Sequence, residues 1–238
     1  MKHSIKSLFF ALLLGLRVLI PAIAEPGNEL CKVDRYRIYD KTGFSFIWKS
    51  VQNGHQRTPI KIYVNSPSTV LGSFSNTNSS KLILMKGNSF WFFEQNSMSS
   101  AIRISPRQML VGEAGAGDIT RIVFNRLYRV EEFKKSNNTL EFYLLAIPGQ
   151  GATYAKINLK TNQDFRPIIA RCYTKQGVLL KTIIYSEYKN INGRELLTKF
   201  KIINAIDKQI SIISLSNFRK EKLPDADFNK DFLPWLNL

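Results

Sequence analysis

The chain is poor in the residues that most often carry catalysis. Among 238 residues there are two histidines and two cysteines. His3 lies near the start, and His55 stands beside an Asn53-Gly54 turn, so no Ser-His-Asp or Cys-His arrangement can be assembled. No His/Cys/carboxylate cluster has zinc spacing, and neither a metal nor another cofactor is expected. Long apolar runs are also missing. The longest, Leu8 to Leu16, ends at Arg17 and falls short of the about 20 residues a spanning helix needs. Acidic residues are few, 18 against 34 basic ones. There is no low-complexity stretch, repeat or long Pro/Gly linker, so one domain is expected.

Glycine-rich phosphate cradles are excluded on closer reading. Gly112-Glu113-Ala114-Gly115-Ala116-Gly117-Asp118 lacks the Gly-Lys-Ser/Thr end of a P-loop and fails the dinucleotide pattern. Glu113 and Asp118 are the one candidate acid/base pair. Two carboxylates in such a loop are more often a helix cap and a solvated charge, so an enzyme is not expected. Aromatics among Lys and Arg would suit single-stranded nucleic acid, but the chain's first residues argue against it.

Those residues read as a secretory signal. Lys2 and Lys6 form a positive start, Leu8 to Leu16 an apolar centre, and Ala22-Ile23-Ala24 a small-residue cleavage site. Residues 1–24 are expected to be removed, leaving 25–238 as the working domain. The leader takes three basic residues with it, so 31 basic and 18 acidic residues remain, a net charge of +13. An exported protein so basic is drawn to anionic membrane surfaces rather than nucleic acid. Cys31 follows Glu29-Leu30 rather than a small residue, so no lipid anchor is expected. Cys31 and Cys172 form a candidate disulfide in an oxidising compartment, worth about 4–5 kcal/mol in the chain-entropy model. The alternative is two separate thiols.

The rest reads as short strands. Residues 28–39 space Leu30, Val33, Tyr36 and Ile38 on one helical face. Phe44, Phe46 and Trp48 then share one face of a strand, because side chains alternate. Ile60, Ile62 and Val64 do likewise, as do Leu140, Phe142 and Leu144. Asn53-Gly54, Lys175-Gln176-Gly177 and Asn192-Gly193 mark hairpins. Asn76 to Ser80 is a further turn. Asp118 is expected to cap a short helical turn through Phe124. About eleven strands with short turns predict an antiparallel sheet. Leu82-Ile83-Leu84-Met85, Phe90-Trp91-Phe92-Phe93 and Val178-Leu179-Leu180 are apolar on both faces, so both faces must be covered. A curved sheet around a greasy cavity and a filled sandwich core both satisfy this.

Several blocks, in order, resemble the outer-membrane lipoprotein-sorting family, LolA-like in fold. They are Lys86 to Phe93, Ile102 to Ala114 continuing through Gly117-Asp118-Ile119-Thr120-Arg121, Phe165-Arg166-Pro167, and Gly177 to Thr182. Asn217-Phe218-Arg219, Leu223-Pro224-Asp225 and Phe228 to Leu233 complete the set. The resemblance implies a mainly β fold: a strongly curved, incompletely closed antiparallel β-barrel with short helices covering its mouth. It implies a periplasmic carrier that shields acyl chains of lipoproteins or other lipids on their way to the outer membrane. An inner-membrane transporter and an outer-membrane acceptor would be its partners. A non-catalytic envelope adaptor, or an accessory of a lipid-exporting transporter, is the alternative. On the carrier reading, Phe44, Phe46, Trp48, Ile62 and Leu82 line the lipid cavity, with Leu84, Phe90, Phe92, Phe142 and Leu144. The opposite parity (Ile83, Met85, Trp91, Phe93) would then pack under helices, and alternation alone leaves open which face is which. Gly112, Gly115 and Gly117 supply a flexible gate.

Overall fold

Strand pairing begins with the two Asn-Gly turns. Asn53 and Gly54 have φ of 51° and 78°, and Asn192 and Gly193 of 51° and 81°, the left-handed pair that tight hairpins require. The computed structural model describes residues 26–74, 80–121 and 123–236. The expected signal at 1–24 lies outside them, as does most of the turn at 76–80.

Helix α1 (Pro26–Asp34) comes first. It stops five residues before the expected end because the chain turns away, and the Tyr36 carbonyl accepts the Leu197 amide at 2.8 Å. The strands are β1 (Phe44–Gln52), β2 (His55–Gln56), β3 (Ile60–Ser66), β4 (Thr69–Phe74), β5 (Lys81–Lys86), β6 (Ser89–Glu94) and β7 (Ile102–Ile104). A small ribbon, β8 (Met109–Val111) and β9 (Ala114–Gly115), leads into α2 (Ala116–Thr120). Then follow β10 (Tyr128–Lys135), β11 (Thr139–Ala146), β12 (Lys156–Asn162), β13 (Pro167–Tyr173), β14 (Leu179–Ile191), β15 (Arg194–Asn204) and β16 (Ile210–Lys220). Two 3-10 turns, Asp225–Phe228 and Leu233–Trp235, end the described chain.

All strands except β8 and β9 join one antiparallel sheet. Its order runs β10 through β16, then β1, then β3 through β7, with β2 beside β1. The first long strand therefore pairs with the last, Val51 opposite Ile212. The edges, β7 and β10, come from mid-chain and do not pair with each other, so the sheet is open and not a closed barrel. Residues 105–127, the connection between those edges, carry the ribbon and α2.

Each face of the sheet has its own core. One face surrounds a large apolar cluster that draws Phe44, Phe46, Trp48, Ile83, Met85 and Phe90 from one half, and Phe142, Leu144, Leu159 and Phe200 from the other. Leu30 and Val33 of α1, and Ala116 and Ile119 of α2, belong to the same cluster. On the other face, Tyr63, Leu71, Leu82, Leu84 and Phe93 lie beneath Phe228 and Leu233 of the C-terminal turns. Among the described residues no helix is long and apolar enough to cross a membrane.

Candidate functional site

The interior face is closed by its own chain. The segment from Gly112 to Thr120 enters the large cluster, and all five residues of α2 are buried. Polar side chains of the sheet hold it there. Lys181 of β14 donates to the Asp118 carboxylate at 2.7 Å and to the Glu113 carbonyl at 2.7 Å. Tyr154 donates its hydroxyl to the other Asp118 oxygen at 2.6 Å. Burial, with the Asp118 charge beside it, keeps that phenol protonated by pushing its pKa well up. Glu113 accepts from Gln52 at 2.8 Å and from Asn204 at 2.9 Å, and its amide donates to the Ser211 hydroxyl at 2.9 Å.

Asp118 is not the helix cap expected from the sequence. Gly115 is the N-cap, and Asp118, three residues on, accepts the Gly115 amide at 2.9 Å. Glu113 and Asp118 are thus the clasps of this plug, each committed to partners on the sheet. The far end is clasped by α1. Asp34 accepts the amides of Phe124 at 2.6 Å and Asn125 at 3.0 Å. Burial is the main influence on Asp34 and pushes its pKa up to about 7, against the two amides and Arg37.

Each of the three glycines stands where an added side chain would crowd its neighbours. A Cβ on Gly112 would run into the Ser211 hydroxyl, and one on Gly117 into the Thr153 hydroxyl and the Pro106 carbonyl. A Cβ on Gly115 would sit 3.2 Å from that same carbonyl.

Between plug and sheet remains a cavity of about 50 Å³, lined mainly by apolar groups such as Tyr128, Ile157, Ala170, Tyr185 and Phe200. None of the ten expected lining residues borders it, although Gly117 does. Phe44, Phe46, Trp48, Ile62, Phe90, Phe142 and Leu144 lie in the surrounding cluster. Phe92, on the same face as Phe90, is only half-buried. Leu82 and Leu84 face the other way, under the C-terminal turns, while Ile83 and Met85 point inward. The expected pairing of Leu82 and Leu84 with Phe90 therefore has the parity of β5 reversed, because Met85 is the residue opposite Phe90.

The candidate disulfide is absent. Cys172 is buried in the cavity wall and Cys31 is exposed on α1, both free. Burial pushes the Cys172 thiol up, which makes it an unreactive apolar group. Sequence reasoning missed Lys181, Tyr154, Asp34 and Arg121. Lys181 carried a signal: it shares the strand parity of Ile183 and Tyr185, both at the cavity wall, so a lysine there must meet a partner.

A family model described only as an uncharacterized protein matches residues 65–235. A LolA superfamily protein from Nitrosomonas europaea is similar in structure at a TM-score of 0.75 and 26% sequence identity, with 88% of this chain and 99% of that one covered. A putative outer membrane lipoprotein-sorting protein domain from Vibrio parahaemolyticus has the same fold, at a TM-score of 0.65 and 17% identity over 87% and 97% of the two chains. No curated protein matches the chain.

Proposed function

We propose that this chain, LolA-like in fold, is a carrier that holds acyl chains in its interior by displacing the Gly112–Thr120 plug. The supporting observation is an apolar interior gathered from both halves of one sheet and closed by a segment held through a few polar contacts. The exchange trades one apolar filling for another, since Ala114, Ala116 and Ile119 of the plug leave the cluster as the acyl chain enters it. Burying one CH₂ contributes about 0.8 kcal/mol, so a chain of about fifteen contributes roughly 12 kcal/mol. Each neutral hydrogen bond of the plug contributes about 0.5–1.5 kcal/mol, and removing one partner of the Lys181–Asp118 pair costs about 3–5 kcal/mol. Without cargo the plug fills the site; with one or two acyl chains it is outcompeted.

The protein acts by binding rather than catalysis, as a single domain over 25–238, in the periplasm after its leader is removed. A transporter in the inner membrane would load it and an acceptor at the outer membrane unload it. The small volume of the resting cavity also favours a second reading, a non-catalytic adaptor with a filled core. One experiment separates the two: purify the mature chain from its native host and search for co-purifying lipid or acylated peptide by native mass spectrometry. Stoichiometric acyl cargo supports the carrier. Cargo-free protein that also takes up none from vesicles refutes it.

A further inference from the structure

Arg121 and residues 123–127 form a partition between the interior and solvent. Arg121, Val123 and Leu127 line the inner cavity of about 50 Å³ and also an outer pocket of about 320 Å³ that holds Ser68, Asn88, Arg126 and Gln150. A second outer pocket, of about 440 Å³, adjoins the first through Pro67, Val123 and Arg126 and adds Arg35, Lys41 and Arg194. Five cationic side chains thus surround this mouth. Among the described residues the one carboxylate lining it is Asp34, which is buried and already accepts two backbone amides.

Arg121 is the unusual member. It is only 7% exposed, and its guanidinium lies over the Phe90 ring at 5.0 Å. Nη2 donates to the Gly151 carbonyl at 3.2 Å, while Nε is buried without a partner. Among the described residues it forms no ion pair. A buried cation without a counter-charge is costly, and the cost is removed when an anion with two oxygens meets the guanidinium fork.

Resting on the carrier reading, we propose that the cargo is an anionic amphiphile: its phosphate or carboxylate head sits at Arg121 and Arg126, and its apolar tail enters the interior past Val123 and Leu127. The positions fit that division. Val123 and Leu127 are buried apolar residues shared by both cavities, so the step from charged mouth to apolar interior is one side chain deep.

Calorimetric titration of the mature chain with oleate, oleyl alcohol and inorganic phosphate tests this. Oleate should bind about tenfold or more tightly than the alcohol, the span of a hydrogen bond to a charged group. Arg121→Gln should remove that advantage, bringing the oleate-to-alcohol ratio close to one. Because Arg121 is buried, Arg126→Gln is the second variant: it is exposed, and it should narrow the oleate-to-alcohol ratio without altering the unfolding temperature. Equal binding of oleate and alcohol, with a ratio insensitive to both variants, overturns the head-group assignment while the carrier reading stands. Phosphate bound as tightly as oleate overturns the lipid source. If the wild type binds neither amphiphile, the carrier reading fails and this inference with it.

Discussion

Replacing Asp34 with asparagine should stabilise the protein in mild alkali and destabilise it in acid. The carboxyl group is 2% exposed at the end of α1 and joins that helix to Phe124 and Asn125. Burial raises its pKa from 3.8 to about 7. The folded state therefore keeps a proton that the unfolded state releases. That contribution to stability is fully present below about pH 3.8 and is lost as the pH rises through about 7. At 1.36 kcal/mol per pH unit the whole span is worth roughly 4 kcal/mol. Asparagine carries no charge at any pH, but it offers only one acceptor to two amides and forfeits about 1–3 kcal/mol. Asp34→Asn should thus be less stable than the wild type at pH 4 and more stable at pH 8, by about 1–3 kcal/mol each way. Urea unfolding at pH 4, 5, 6, 7 and 8, followed by tryptophan fluorescence, reads both curves. If the stability difference between the two proteins is the same at pH 5 and pH 8, the carboxyl group is not buried as described.

Other perturbations address the plug and the C-terminal turns. Lys181→Met leaves Asp118 buried and unpaired and should cost about 3–5 kcal/mol; adding Asp118→Asn should recover part of it, and a double-mutant cycle without coupling would contradict the clasp. Gly117→Ala places a methyl group against the Thr153 hydroxyl, so amide exchange should speed up across 112–120 while the sheet stays protected. Phe228→Ala, at a side chain 1% exposed, should release the C-terminal turns at a cost of up to about 3–5 kcal/mol. Limited proteolysis should then cut within 221–236 and leave the remainder folded.

The local half of this architecture is legible in the sequence. The Asn53-Gly54 and Asn192-Gly193 hairpins stand where their turn chemistry puts them, and Phe44, Phe46 and Trp48 share the inner face that alternation assigns. What is hidden is non-local. Leu82 to Met85 has no readable parity because both its faces are apolar, and the face of each is decided by Phe228 and Leu233, far away in the chain. Seven of the ten aromatic and aliphatic candidates lie in the large cluster around the cavity, which is itself bordered by residues that looked polar or structural, such as Tyr154, Tyr185 and Arg121. Asp34 reads as an ordinary helix-end acid until Phe124 and Asn125 are folded against it. The thiols illustrate the same limit: spacing says nothing about Cys31 facing solvent while Cys172 faces inward.

Pairing of β1 with β16 places the first and last strands of the sheet side by side in its middle. A chain that emerges from its amino end first therefore holds Phe44 to Gln52 half-partnered until almost everything else has arrived. The same delay leaves Leu82, Leu84 and Phe93 uncovered, since their roof is made by the final residues. Contacts so distant along the chain are slow to form, and unpaired strands with bare apolar faces invite aggregation meanwhile. Truncations that spare the interior but remove the last fifteen or so residues should thus lower the yield of native protein more than its final stability, a kinetic penalty set by topology.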